Sequence, residues 1–214
     1  GNEEFERVDD DTLLNGMHRL NVSSGAGSQS NPLDFGLPGM YLCQDIMAQD
    51  IIVTNSNYDW AIFHYQYVAT EGANYWMPYN YWTYFYKLIN NANHLIKNID
   101  NVPGNESDKL DIKGQALAYR AMGYFYLVNL FSPHYNAGDL NAPGVPLYTE
   151  PTEANTVHKG RGTIGEVYNQ ILTDIADAVE ALESSGVSHD NKSMISVSTA
   201  RGLYARIALT MKDW

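Results

Sequence analysis

Apolar positions recur at helical spacing through the last third of the chain. Ile164, Val167, Tyr168, Ile171, Leu172, Ile175, Val179 and Leu182 advance by threes and fours, which puts them on one face of an amphipathic helix. Thr163 with Glu166 forms a capping box and Ser184, Ser185 and Gly186 end the stripe, so the pattern predicts a helix over about 163–184. After the polar loop GVSHDNKS, the spacing resumes at Ala200, Leu203, Tyr204, Ile207, Ala208 and Met211. That predicts a second helix over 197–212, capped by Ser196 or Ser198 and folded back on the first. Upstream, Leu110, Gly114, Leu117, Ala121, Tyr124, Phe125, Val128 and Phe131 predict a long helix over 106–131, whose small residues permit close approach of a neighbour.

Two stripes run side by side between 74 and 99. One is Tyr79, Trp82, Tyr86, Ile89, Asn93 and Ile96; the other is Tyr81, Phe85, Leu88, Ala92, Leu95 and Ile99. Together they cover more than half the circumference and leave Tyr84, Lys87, Asn91, His94 and Asn98 as the polar face, so this helix is expected to be buried on two sides. Residues 11–22 and about 34–50 are expected to add helices, while 23–32 and 132–161 read as Gly/Asn/Pro-rich loops. Consecutive helix–turn–helix pairs, 74–99 with 106–131 and 163–184 with 197–212, are what a helical-repeat scaffold requires. The fold expected is all-α, a tetratricopeptide-like scaffold with long irregular loops.

Charge narrows the partners. Thirteen basic against twenty-five acidic residues give a net charge of −12, which repels a phosphate backbone, so nucleic acid and anionic membrane surfaces are not expected. The lone Cys43 rules out an intrachain disulfide or an all-cysteine metal site and, within MYLCQDIM, reads as a small buried residue. No apolar run approaches the length of a membrane span, and GNEEFERVDDD lacks the basic and apolar regions of a signal peptide.

Candidate chemistry is sparse. The six histidines, His18, His64, His94, His134, His158 and His189, never pair at i, i+4 and read as solvated or loop residues, so no metal and no cofactor is expected. Asp9–Asp11 fits a helix N-terminus better than a calcium loop, and Gly160, Gly162 and Gly165 fit a capping role around a helix start. No nucleophile elbow, phosphate-cradling or dinucleotide motif is present, and nothing favours paired catalytic carboxylates over surface acids. No catalytic residue is therefore assigned.

Aromatic residues stand out instead. Residues 58–86 hold 13 of the chain's 26 aromatics, and Tyr58, Trp60, Phe63, Tyr65, Tyr67, Tyr75 and Trp76 lie outside the helical stripes. Loop aromatics among Asn, Asp, Gln and His suit a ligand with apolar faces and many hydroxyls, since rings stack on sugar C–H faces while amides and carboxylates bond the hydroxyls. The alternative is that these rings pack the loop against the scaffold. Trp60, between Asp59 and Ala61, has the most polar setting, and if Phe63, Tyr65 and Tyr67 form one face of a short strand, Trp60 need not share it.

Five blocks resemble the N-terminal part of the SusD/RagB family of surface glycan-binding lipoproteins of Bacteroidetes-type bacteria. They are WTYFYKLINNAN, KGQALAYRAMGYFYLVNLF, GVPL at 144–147, RGTIGEVYNQILTDIADAVEAL at 161–182 and STARGLYARIALTMKDW, in family order over about 80–214. The resemblance implies a tetratricopeptide-like scaffold, lipid-anchored at the outer face of the outer membrane, that captures oligosaccharides for a SusC-like TonB-dependent transporter without catalysis. It implies glycan contacts from the loop before the Trp82 helix, here residues 55–76, with Trp60, Tyr65 and Trp76 foremost and Tyr58 and Tyr67 beside them. Asn93 and Arg161 match recurring positions and read as structural, a buried amide between helices and a cation tying down a helix start.

The family pattern continues beyond Trp214 and begins with a lipidated cysteine, so residues 1–214 are expected to be one N-terminal helical domain of a longer protein whose anchor lies upstream. A protein-interaction scaffold without glycan binding is the competing expectation, since helical repeats bind peptides and partner proteins.

Overall fold

The computed structural model describes residues 14–21, 36–48, 50–54, 61–70, 72–73 and 75–212. Asp9–Asp11, the 23–32 loop, Tyr58 and Trp60 lie outside the described residues. The helices are α1 (14–20), α2 (Gly36–Met47), α3 (Ile62–Tyr65), α4 (Trp76–Asn98), α5 (Glu106–Phe131), α6 (Ile164–Ser185) and α7 (Val197–Met211). Three short 3₁₀ or bridge elements supplement them, and among the described residues the nearest approach to a sheet is an isolated antiparallel bridge, Pro143 to Thr163. The scaffold is all-α, as the spacing predicts. The chain divides into two compact units, Gly16–Tyr86 and Gly1–Asn15 with Lys87–Trp214; the division falls within α4.

Local chemistry starts and stops the helices where the pattern places them. Asn105 caps α5 by accepting from the Ser107 amide, Thr163 and Glu166 form the reciprocal capping box of α6, and Ser196 caps α7. The Glu166 carboxylate accepts from both the Thr163 amide and the Thr163 hydroxyl, and these bonds hold it below its usual pKa. Gly186 ends α6 in the left-handed region at φ 64°, where a side chain is strained.

In the larger unit, rising numbers along α5 meet falling numbers along α6: Ser107 donates to the Ser185 carbonyl, Gly114 lies against Ala178 and Leu182, and Arg120 pairs with Asp174. The two helices are therefore antiparallel. A Cβ on Gly114 would sit 2.7 Å from Leu182 Cγ and 3.1 Å from the Ala178 carbonyl oxygen, so the small residue is what lets the backbones approach.

The 132–161 segment is irregular but tightly held. Its ends meet where the Gly144 amide donates to the Gly162 carbonyl at 2.7 Å and the Gly162 amide to the Val145 carbonyl at 3.1 Å. Gly144 is required there, because a Cβ would come within 2.9 Å of the Thr163 carbonyl oxygen. Arg161 closes the same junction by donating to the carbonyls of Phe131 and Gly144 at 2.9 and 2.6 Å. The GVPL and RGT blocks are thus two sides of one closure, and Gly162 serves it rather than a cap alone.

Between these ends, residues 148–152 run along α4 and α5 on side-chain hydrogen bonds in place of a β-ladder. Asn93 Nδ2 donates to the carbonyls of Tyr148 (2.9 Å) and Glu150 (3.1 Å), and Asn90 Oδ1 accepts from the Thr152 amide (2.7 Å). Tyr124 Oη donates to the Tyr148 carbonyl and accepts from its amide. The amide-rich end of the aromatic helix is therefore a latch for this segment. Asn93→Ala is expected to cost about 1–3 kcal/mol, because two carbonyls and an Arg120 donor lose their partner. Hydrogen exchange across residues 144–156 should accelerate together with a lower urea midpoint; unchanged protection would refute the latch.

Two expectations about α4 and one about the histidines are corrected. Tyr84, assigned to the polar face, is buried and its hydroxyl donates to Asn21 Oδ1 at 2.8 Å, while Tyr79, assigned to the core, is 59% exposed. Along α4 Met77, Asn80, Tyr81, Tyr84, Phe85, Leu88, Ile89, Ala92, Asn93 and Leu95 are buried, followed by Ile99, so the second stripe is buried throughout while the first is buried at Ile89 and Asn93 and flanks the core at Trp82, Tyr86 and Ile96. His18 and His64 are buried within helices, so these two are not solvated or loop residues, whereas His189 lies in the loop after α6 and pairs there with Asp111 at 2.9 Å.

Candidate functional site

The Gly16–Tyr86 unit carries the candidate surface. α2 and α4 are joined where Tyr81 Oη donates to the Met40 carbonyl at 2.9 Å; burial, with Cys43 beside it, pushes this phenol far above its usual pKa. Cys43 is fully buried, as expected. On this base the chain turns through α3 and a 3₁₀ turn, Val68–Thr70, to reach the start of α4. The strand considered for Phe63, Tyr65 and Tyr67 does not form; residues 62–65 make a single helical turn.

Of the five residues expected to contact glycan, Tyr65, Tyr67 and Trp76 are described. Tyr67 is 48% exposed and holds φ 62°, a left-handed conformation that an aromatic residue rarely adopts. Its amide donates to the His64 carbonyl, its carbonyl accepts from the Thr70 amide and hydroxyl, and its hydroxyl donates to the Met47 carbonyl. The surroundings thus hold a strained backbone and leave a ring partly in solvent. Trp76 opens α4 half-buried, edge-to-face with the His64 ring at a centroid distance of 6.2 Å, and Tyr65 is half-buried in α3.

Two further open rings lie outside the five expected contacts. Tyr75 is 43% and Tyr79 59% exposed, and the Tyr79 amide donates to the Tyr75 carbonyl at 3.4 Å, so the two stand one helical turn apart. Trp82 and Tyr86 follow half-buried, their rings 4.9 Å apart. A signal for Tyr79 was present in its stripe, which is the more polar of the two through Asn93; apolar spacing alone does not separate a flank from a core. Open tyrosine rings one turn apart can stack on the C–H faces of a flat ligand while their hydroxyls bond its polar edge.

The other polar cluster lies in the larger unit. Arg120 is bidentate to Asp174 at 2.6 and 2.8 Å and also donates to Asn93 Oδ1 (2.9 Å) and the Thr149 carbonyl (3.2 Å). Desolvation raises the Asp174 carboxyl above its usual pKa against the opposing pull of Arg120 and of Gln170. Its partners make this a structural junction of three helices and a loop. Among the described residues no group of three His, Cys, Asp or Glu side chains is placed to hold a metal ion, and no helix is long and apolar enough to cross a membrane.

Antiparallel helix pairs with a latched loop define a tetratricopeptide-like scaffold. The chain belongs to the SusD-like family, "Starch-binding associating with outer membrane", whose family model matches residues 39–209. SusD-like protein P38 of Formosa agariphila is 33% identical over 106 residues, covering 49% of this chain and 18% of that protein. A SusD-like carbohydrate binding protein of Bacteroides vulgatus superposes with a TM-score of 0.81 at 27% identity, covering 96% of this chain and 42% of the other. A SusD superfamily protein of Bacteroides fragilis gives 0.76 at 22% identity over 97% of this chain and 46% of the other, a likeness of fold. The chain spans less than half the length of each of these relatives.

Proposed function

We propose that the chain is the helical part of a cell-surface glycan-binding protein that captures oligosaccharides for import by a SusC-like TonB-dependent transporter, without itself being an enzyme. The observation that carries this reading is the run of open rings, Tyr67, Tyr75 and Tyr79, around half-buried Trp76 in one compact unit. Exposed aromatics are costly to leave in water, and a sugar's C–H face covers them while its hydroxyls stay hydrogen-bonded. Family membership and the carbohydrate-binding relative supply the ligand class. Attachment through a lipid anchor at the outer membrane belongs to the same reading.

Tyr65, Tyr67 and Trp76 remain the proposed contacts, with Tyr58 and Trp60 in the segment outside the described residues; Tyr75 and Tyr79 join them. Titration of tryptophan fluorescence with a panel of soluble oligosaccharides tests the assignment. Tyr79→Ala is expected to weaken binding by about 1–3 kcal/mol, as for bases on aromatic platforms, or roughly 5- to 150-fold, with helical content unchanged. Equal affinity in Tyr79→Ala and Trp76→Ala would overturn the site.

A second reading has its own observation. α7 buries Ala200 and Ile207 but leaves Tyr204 39% and Leu209 62% exposed, apolar side chains that a protein partner could cover. The titration separates the readings: saturable binding favours capture, and none from intact helices favours a protein-interaction scaffold.

A further inference from the structure

The rings of the candidate surface continue beyond Tyr79. Tyr75, Tyr79, Trp82 and Tyr86 follow i, i+4, i+7 and i+11 spacing, and helical geometry places them within about 60° of one another around the axis of α4. Met77, Tyr81 and Tyr84, all buried, lie on the opposite side. The four rings thus form one stripe on the side of the helix away from its core, where a surface helix usually carries charged residues. Half-buried Thr83 flanks the stripe, and the sequence from Tyr75 to Tyr86 holds no Asp, Glu, Lys or Arg. Along the axis the stripe covers about 16 Å, room for several sugar rings end to end and far more than one requires. Trp82 and Tyr86 are half-buried and packed on each other, their centroids 4.9 Å apart and their planes inclined at 50°. Rings already held by a neighbour lose little freedom when a ligand covers them.

Resting on the capture reading above, we propose that Trp82 and Tyr86 form a second glycan subsite which, with Tyr75 and Tyr79, holds an unbranched oligosaccharide lengthwise along α4. Each of the four side chains offers a flat face to sugar C–H groups and a hydroxyl or indole N–H to the sugar's polar edge. The two pairs of rings act together through the ligand. Once Tyr75 and Tyr79 hold one end, the following sugars meet Trp82 and Tyr86 at high effective concentration. Affinity therefore grows with chain length, and the growth belongs to Trp82 and Tyr86. A platform confined to Tyr67, Tyr75, Trp76 and Tyr79 would not produce it.

The test is calorimetric titration of the full chain with malto-, laminari-, xylo- and manno-oligosaccharides, each graded from disaccharide to hexasaccharide. In the series that binds tightest, the hexasaccharide is expected to bind roughly 5- to 150-fold more tightly than the disaccharide, the gain from further ring stacking. Trp82→Leu and Tyr86→Leu keep an apolar side chain at half-buried positions but remove the ring, and circular dichroism checks that each stays helical. Either variant is expected to flatten the rise with length while leaving the disaccharide affinity unchanged, whereas Tyr79→Ala weakens every length. A rise that persists in both folded leucine variants, or a parent affinity that does not grow beyond the disaccharide, would overturn the second subsite and leave glycan capture standing. Failure of every series to bind would overturn the capture reading, and this inference with it.

Discussion

Asp174→Ala is expected to be the most damaging single substitution in the larger unit, destabilising it by about 3–5 kcal/mol. The loss arises from Arg120, whose buried guanidinium keeps only Asn93 Oδ1 and the Thr149 carbonyl once its bidentate partner is gone. Desolvation raises the Asp174 carboxyl above its usual pKa against the pull of Arg120, so burial works against this pair. The double variant Arg120→Met with Asp174→Leu should therefore recover much of the loss, since it removes both buried charges. Recovery should be incomplete, because Asn93 Oδ1 and the Thr149 carbonyl lose a donor. Urea unfolding of the two single variants and the double variant measures the coupling directly; strictly additive losses would show that the pair does not act as a unit.

The second large effect is expected at Gly114. Alanine there gains up to about 1 kcal/mol of helix propensity, yet its methyl meets Leu182 at 2.7 Å and the Ala178 carbonyl oxygen at 3.1 Å. Overpacking of this kind costs about 1–3 kcal/mol, so Gly114→Ala should be net destabilising and Gly114→Val worse, because its branches enter the same seam. Leu182→Ala in combination should restore part of the stability lost in Gly114→Ala by opening room for the methyl. A Gly114→Ala variant more stable than the parent would mean that the seam yields freely, contrary to the packing described.

Both sites illustrate what was legible. The small residue at 114 was visible as a place for close approach, although the sequence did not name Leu182 as its partner. Arg120 and Asp174 lie 54 positions apart on helices whose apolar stripes say nothing about a buried ion pair. The same holds for Asn90 and Asn93: an amide run is equally compatible with a solvated face and with a latch for residues 148–152. The candidate surface was legible as a region, through its density of aromatics, but not ring by ring. Tyr79 and Tyr84 exchanged places because aromatics crowd the first half of α4, where apolar spacing alone does not fix the helix's rotation; the buried side is the one whose Tyr81 and Tyr84 hydroxyls reach the Met40 carbonyl and Asn21.

What the sequence by itself determined was local: where α4 to α7 begin and end to within a few residues, the caps on α6 and α7, the all-α class and the resemblance borne by its five blocks. These depend on residues within a turn or two of one another, where backbone hydrogen bonding and 3.6-residue periodicity are read directly. Only the tertiary structure decided which rings face solvent, which polar side chains are buried and what each is bonded to. Burial of a polar group is tolerated only when distant partners converge on it, and that convergence depends on how the helices pack.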